Sequence, residues 1–195
     1  MALQLWIGVD ANGLTAATAW LFTKGQAFGR SDTVTVSGGG MSLTLSTWND
    51  VVRRATFTGP ISEGSTYMVA LARMGFANAP SSTCTLPAPF TLQLAAGMVL
   101  SRAKDLLVFT YTPSGTTDAM SWGVIGDCVS GGGMLTGDPG FFTIAPGALT
   151  DVTTKSCMAT LSITRSHRGT SDPALGAGSV IDCGQNRSAA FTSNP

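Results

Sequence analysis

Four cysteines, Cys84, Cys128, Cys157 and Cys183, and one histidine, His167, are the side chains of this sequence best suited to covalent or metal chemistry. Their spacing excludes a zinc centre of the usual kind, because no two cysteines form a C-x-x-C pair and a single imidazole completes no ligand set. His167 sits in Arg165-Ser-His-Arg168-Gly169, a polar, basic stretch; it reads as an exposed turn residue. Carboxylates are scarce. Glu63 is the only glutamate, the aspartates fall mostly in turns, and no local pair suggests the two acids of a glycosidase. Asp10-Ala-Asn12-Gly13 is a fragment of a calcium loop without the later acidic ligands, so a turn is the better reading. No nucleophile elbow, phosphate loop or dinucleotide fingerprint occurs. The expectation is no catalytic residue, no cofactor and no metal.

The run Gly126-Asp-Cys-Val-Ser-Gly-Gly132 superficially resembles the nucleophile loop of chymotrypsin-like proteases. That fold places its histidine before the nucleophile, whereas His167 follows Cys128, and a disulfide would remove the thiolate. An even cysteine count in a Ser/Thr-rich, Lys-poor chain favours two disulfides and an oxidising compartment over buried free thiols. Three connectivities are open. Cys128 ends one expected strand and Cys157 begins another, which favours Cys128–Cys157 and leaves Cys84–Cys183 by elimination.

Aromatic side chains carry the best hint of binding. Trp6 alternates against Leu3, Leu5 and Ile7, and Trp20 against Ala19 and Leu21. If one face of each strand is core, Trp6, Trp20 and Trp48 are platforms for a partner or a sugar ring. Burial of both faces is the competing reading.

Composition narrows the classes further. The 195 residues carry 11 basic and 11 acidic side chains, a formal net charge of zero, and only 11% charged residues, against roughly 25% in ordinary soluble domains. No basic excess is available to neutralise phosphates, so nucleic acid is excluded as an expected ligand. A hydrophobic content of 44% supports a core and argues against disorder. No stretch approaches the length of a transmembrane helix, and the N-terminus lacks the basic region of a signal peptide.

The elements that must position these residues are strands. Alternation of period two recurs in Leu3–Val9, Val34–Val36, Met41–Leu45, Ala55–Phe57, Tyr67–Leu71, Met120–Val124, Phe141–Ile144, Cys157–Arg165 and Arg187–Thr192. Leu106–Tyr111 reads as apolar on both faces, as at the centre of a sheet. Gly38-Gly-Gly40, Pro113-Ser-Gly115, Gly131-Gly-Gly133, Asp138-Pro-Gly140 and Asp172-Pro173 read as turns. Ser46–Arg54 is the best candidate for a short helical turn. The proline-rich segment 78–89 reads as a stiff linker or an edge strand and divides the chain into modules 1–87 and 88–195.

Phe90-Thr-Leu, Leu100-Ser-Arg, Leu106–Tyr111, Met120-Ser-Trp122, Gly126-Asp-Cys128, Phe142–Leu149 and Cys157–Arg165 resemble Ig-like or fibronectin-type modules of secreted and lipid-anchored proteins in myxobacteria and their relatives. The resemblance covers about residues 88–195 and is weaker over 1–87. It implies tandem Ig-like/fibronectin-like antiparallel β-sandwiches, all-β and extracellular, with Trp122 packed in a sandwich core; it implies no reaction. The expected function is a non-enzymatic surface protein acting in adhesion or in self-assembly into an extracellular filament, with like subunits or another surface protein as partner. A carbohydrate-binding module taking glycans on Trp6, Trp20 or Trp48 is the alternative, and a hydrolase ranks last. Asn186-Arg-Ser188 matches an N-glycosylation sequon.

Overall fold

The computed structural model describes residues 2–9, 15–22, 32–45, 64–75, 77–95, 97–177 and 179–195. The described residues are almost entirely β. The strands are β1 (Ala2–Val9), β2 (Thr15–Phe22), β3 (Thr33–Gly38), β4 (Met41–Leu45), β5 (Thr66–Ala72), β6 (Ala79–Thr85), β7 (Thr91–Gln93) and β8 (Val99–Ser101). They continue with β9 (Leu107–Thr112), β10 (Ala119–Gly126), β11 (Val129–Met134), β12 (Phe141–Ile144), β13 (Thr150–Asp151), β14 (Cys157–Arg168) and β15 (Asp182–Asn194). The chain divides into two compact units: Met1–Ala88 with Ser166–Gln185, and Pro89–Arg165 with Asn186–Pro195. The segment 55–57, expected as a strand, the expected helical turn 46–54 and the turn at 10–13 lie outside the described residues.

In the first unit β4-β3-β5-β6 form an antiparallel sheet. Val34 and Val36 on β3 face inward with Tyr67, Val69 and Leu71 on β5, as their alternation requires. Gly39 and Gly40 turn β3 into β4 with φ of 58° and 83°. Two successive positive φ values define the tight hairpin turn that glycine adopts without steric penalty. The proline-containing stretch at 79–85 is β6, an edge strand rather than a linker. Residues 166–185 are clipped to it. Thr83 and Thr170 exchange backbone bonds of 2.9 and 2.8 Å, and Asp172 accepts from Ser81 N at 2.9 Å and Ser81 Oγ at 2.7 Å. Asp172 also caps the short 3-10 helix Pro173–Leu175 through Ala174 N. The Cys84–Cys183 disulfide lies in this unit, where β1 pairs parallel with β15 and antiparallel with β2.

The second unit is a sandwich. One sheet is β7-β9-β12; the other runs β13-β11-β10-β14-β15, with β8 parallel on β15. Leu107, Phe109 and Tyr111 from the first sheet share one core with Met120, Val124, Leu161, Ile163 and Phe191 from the second. Side chains interleaved from two inner faces are what define a sandwich. With β7, β9 and β12 lettered A, B and E, and β11, β10, β14 and β15 lettered C′, C, F and G, the sheets are ABE and C′CFG, the Ig-like and fibronectin-type arrangement in which C′ joins the GFC sheet.

Two expectations need correction here. β9 is not apolar on both faces in the buried sense, because Leu106 and Val108 are exposed while Leu107, Phe109 and Tyr111 are buried. It is central to its sheet, between β7 and β12, but that sheet has one wet face. Gly131-Gly-Gly133 is no turn either: it is the middle of β11, paired with Val124, Gly123 and Trp122.

Candidate interaction surface

The polar framework of the second unit fixes its ends. Arg165, fully buried, donates to Asp138 at 3.0 Å and to Pro113 O at 2.6 Å, and its guanidinium stacks 4.9 Å from the Phe90 ring centroid. Asp138 also accepts from Thr116 N and Thr116 Oγ1 at 3.0 and 2.7 Å. Burial, together with the Asp138 carboxylate, pushes the Tyr111 phenol above its ordinary pKa; an opposing backbone contact to Gly140 does not cancel this. Arg102 ties down the segment after β13: it pairs with Asp151, donates to Thr153 O at 2.6 Å, and reaches Lys155 O at 3.3 Å.

The disulfides are Cys128–Cys157 and Cys84–Cys183. Cys128 follows β10 and Cys157 opens β14, so the bridge joins neighbours of one sheet, C to F. Ig domains instead bridge B to F across the sandwich. Cys128 is therefore structural, and the protease-like loop has no thiolate.

Trp122 is on strand C, where Ig domains carry their core tryptophan. It is half-buried at the margin of the core, with its ring centroid 5.6 Å from that of Phe142. The glycines of β11 make room for it. A Cβ on Gly133 would lie 3.3 Å from the indole nitrogen, and one on Gly131 would lie 3.6 Å from the far ring edge. The sequence signal was a glycine run opposite a tryptophan, which the turn reading obscured.

Beneath this packing the outward positions of the C′CFG sheet form a face of different character. They comprise Ser121, Gly123 and Ile125 on β10, Ser130, Gly132 and Met134 on β11, and Met158, Thr160, Ser162 and Thr164 on β14. None is charged. Ile125, Met134 and Met158 are 76%, 69% and 63% exposed. Thr192 donates to the Met158 sulfur at 3.4 Å, and the Asn186 amide donates to Thr164 Oγ1 at 2.9 Å. The sequon asparagine is thus half-buried and engaged on the sheet.

The backbones of Trp6 and Trp20 are in β1 and β2, where Trp6 pairs with Thr18 and Trp20 with Gln4. Their side chains, and the whole of Trp48, lie outside the described residues. His167 is exposed near the end of β14, in the first unit. Among the described residues no group of three or more His, Cys, Asp or Glu could hold a metal. No helix among them is long and apolar enough to cross a membrane.

These features define an all-β protein whose second unit is an Ig-like/fibronectin-type sandwich. No family model matches the chain, and no curated protein does. Among solved structures it is similar to the FN1–FN3 domains of chicken CNTN1, at 10% identity and a TM-score of 0.30, over all of this chain and 68% of that one.

Proposed function

We propose that this is a non-enzymatic extracellular contact protein, serving adhesion or self-assembly, whose partner is a like subunit or another surface protein. The uncharged outer face of the C′CFG sheet carries the reading. Exposed Ile125, Met134 and Met158 on a rigid sheet are apolar area available for burial, and a face without charge does not repel a second like it. Two disulfides suit an oxidising, extracellular setting.

Sedimentation velocity of the full chain through the micromolar range tests the assembly half of this reading. Concentration-dependent association that weakens in Ile125→Lys and Met158→Lys is the expected result. A wild-type chain that stays monodisperse at the highest concentration would remove self-assembly from the proposal and leave only contact with another surface protein.

A further inference from the structure

The open edge of β11 identifies one partner for this contact. β10 and β11 form a two-residue hairpin: Gly126 pairs with Val129 across Asp127 and Cys128, and the register runs on to Ser121 opposite Met134. Antiparallel ladders alternate hydrogen-bonded with non-bonded pairs. The tight turn makes Gly126–Val129 a bonded pair, so Val129, Gly131 and Gly133 direct their backbone groups at β10. Ser130, Gly132 and Met134 direct theirs at the opposite edge. The bond from Val152 N to Cys128 O, 3.0 Å, shows even-numbered residues serving that edge. β13 occupies it at Val129 and Ser130 only. Among the described residues no strand pairs with it from Gly131 to Met134.

Sheet edges are ordinarily protected by lysine, proline, an inward charge or a bulge. Val129-Ser-Gly-Gly-Gly-Met134 has no charge and no proline, and its pairing with β10 is regular. We propose that this edge receives the β11 edge of a second copy of the chain, antiparallel about a two-fold axis at Gly133. Gly132 then bonds to the partner's Met134, and Met134 to the partner's Gly132, through four backbone hydrogen bonds. Gly133 meets the partner's Gly133 at the non-bonded position, where Cα atoms approach to about 4.5 Å.

Shape selects a second copy as the occupant. On the outer face the cross-strand pair Gly123–Gly132 leaves a lane without side chains, bordered by Ile125 and Ser130 on one side and Ser121 and Met134 on the other. Two-fold pairing sets the partner's Met134 beside Gly132 at the mouth of this lane, and the symmetry repeats the fit. A Met knob and a glycine lane on one hairpin are self-complementary. Charge agrees, because neither the edge nor the outward positions of β10 and β11 bring like charges together. β13 at one end and the end of β11 at Met134 at the other restrict the pairing to these residues. So short an edge buries far less than the roughly 1,200 Å² of a stable interface, so the pair is weak and fills as concentration rises.

This inference rests on the contact-protein reading, and its test separates the two. Amide exchange of the full chain is compared at low and high micromolar concentration, alongside sedimentation. The expected result is association, with Gly132 and Met134 amides slowed about tenfold at high concentration. Both effects should vanish in Met134→Pro, which removes an N–H that β10 does not use, and in Met134→Lys, which sets two cations at the axis. Far-UV circular dichroism matching wild type verifies that each variant is folded. Association that persists in both folded variants, with Gly132 unprotected, overturns the edge pairing and leaves the contact reading standing. A wild-type chain that never associates overturns both the pairing and self-assembly.

Discussion

Gly126 lies directly over the backbone of Met158: a Cβ at Gly126 would fall 2.8 Å from the Met158 carbonyl oxygen and 3.1 Å from Ala159 Cα. Strands C and F touch backbone to backbone at the point where Cys128–Cys157 joins them. Nothing flexible is available to yield. Gly126→Ala should therefore destabilise the second unit by about 1–3 kcal/mol, the usual cost of overpacking, as read from the denaturant midpoint. Gly137→Ala, with nothing near its Cβ, isolates the backbone contribution, since its φ is 74°.

The buried pair Arg165–Asp138 has no exposed side-chain surface on either partner. Removing one member strands the other charge in the core. Arg165→Met and Asp138→Ala should each cost about 3–5 kcal/mol, while the double variant should cost clearly less than their sum. Additive losses in a thermodynamic cycle would mean that the two groups are not energetically coupled.

Each disulfide constrains a different span of the unfolded chain: 99 residues for Cys84–Cys183 and 29 for Cys128–Cys157. The loop-entropy argument assigns them about 4.7 and about 3.6 kcal/mol respectively. Paired Cys→Ser variants, each unfolded in urea, should lose stability in that order.

Two groups give the fold opposite pH limits. Hydrogen bonds from Ser81 and Ala174 hold the Asp172 carboxyl below the usual carboxylate range. A depressed folded pKa contributes stability that is present above the unfolded value and is lost as pH falls through the folded one, so the clip on β6 loosens below about pH 4. Asp172→Asn should flatten the acid limb of the stability profile. Tyr111 is the reverse case, with a raised folded pKa. Its contribution is intact below the unfolded value and is lost on alkalinisation beyond about pH 10. Tyr111→Phe should flatten that limb.

Much of this architecture is visible in the sequence because side chains on a strand alternate between two environments. Tyr67, Val69 and Leu71 announce their buried row, and Met120 and Val124 theirs, since burial needs only the local pattern. The Gly131-Gly-Gly133 stretch misleads for a reason equally physical: glycine is the residue of turns, and its strand role depends on Trp122, nine residues earlier in the chain and directly across the ladder at Gly133. Leu106 and Val108 look buried because apolarity alone does not say which sheet has a wet face. The face proposed for contact is illegible for a related reason, since Ile125, Met134 and Met158 come from three strands and become neighbours only when the sheet forms. The aromatic signal draws attention to Trp6, Trp20 and Trp48, whereas Ile125, Met134 and Met158 are aliphatic and sulfur-bearing.

The first unit is built from two stretches of chain, with Ser166–Gln185 returning to it after Pro89–Arg165, the larger part of the second unit, has passed between them. During synthesis its sheet therefore emerges long before the segment that clips to β6 and supplies Cys183. The strands that intervene emerge while Cys84 still waits for its distant mate, so a nascent chain halted before Cys183 would display an unfinished N-terminal unit whose cysteine remains open to capture by other thiols.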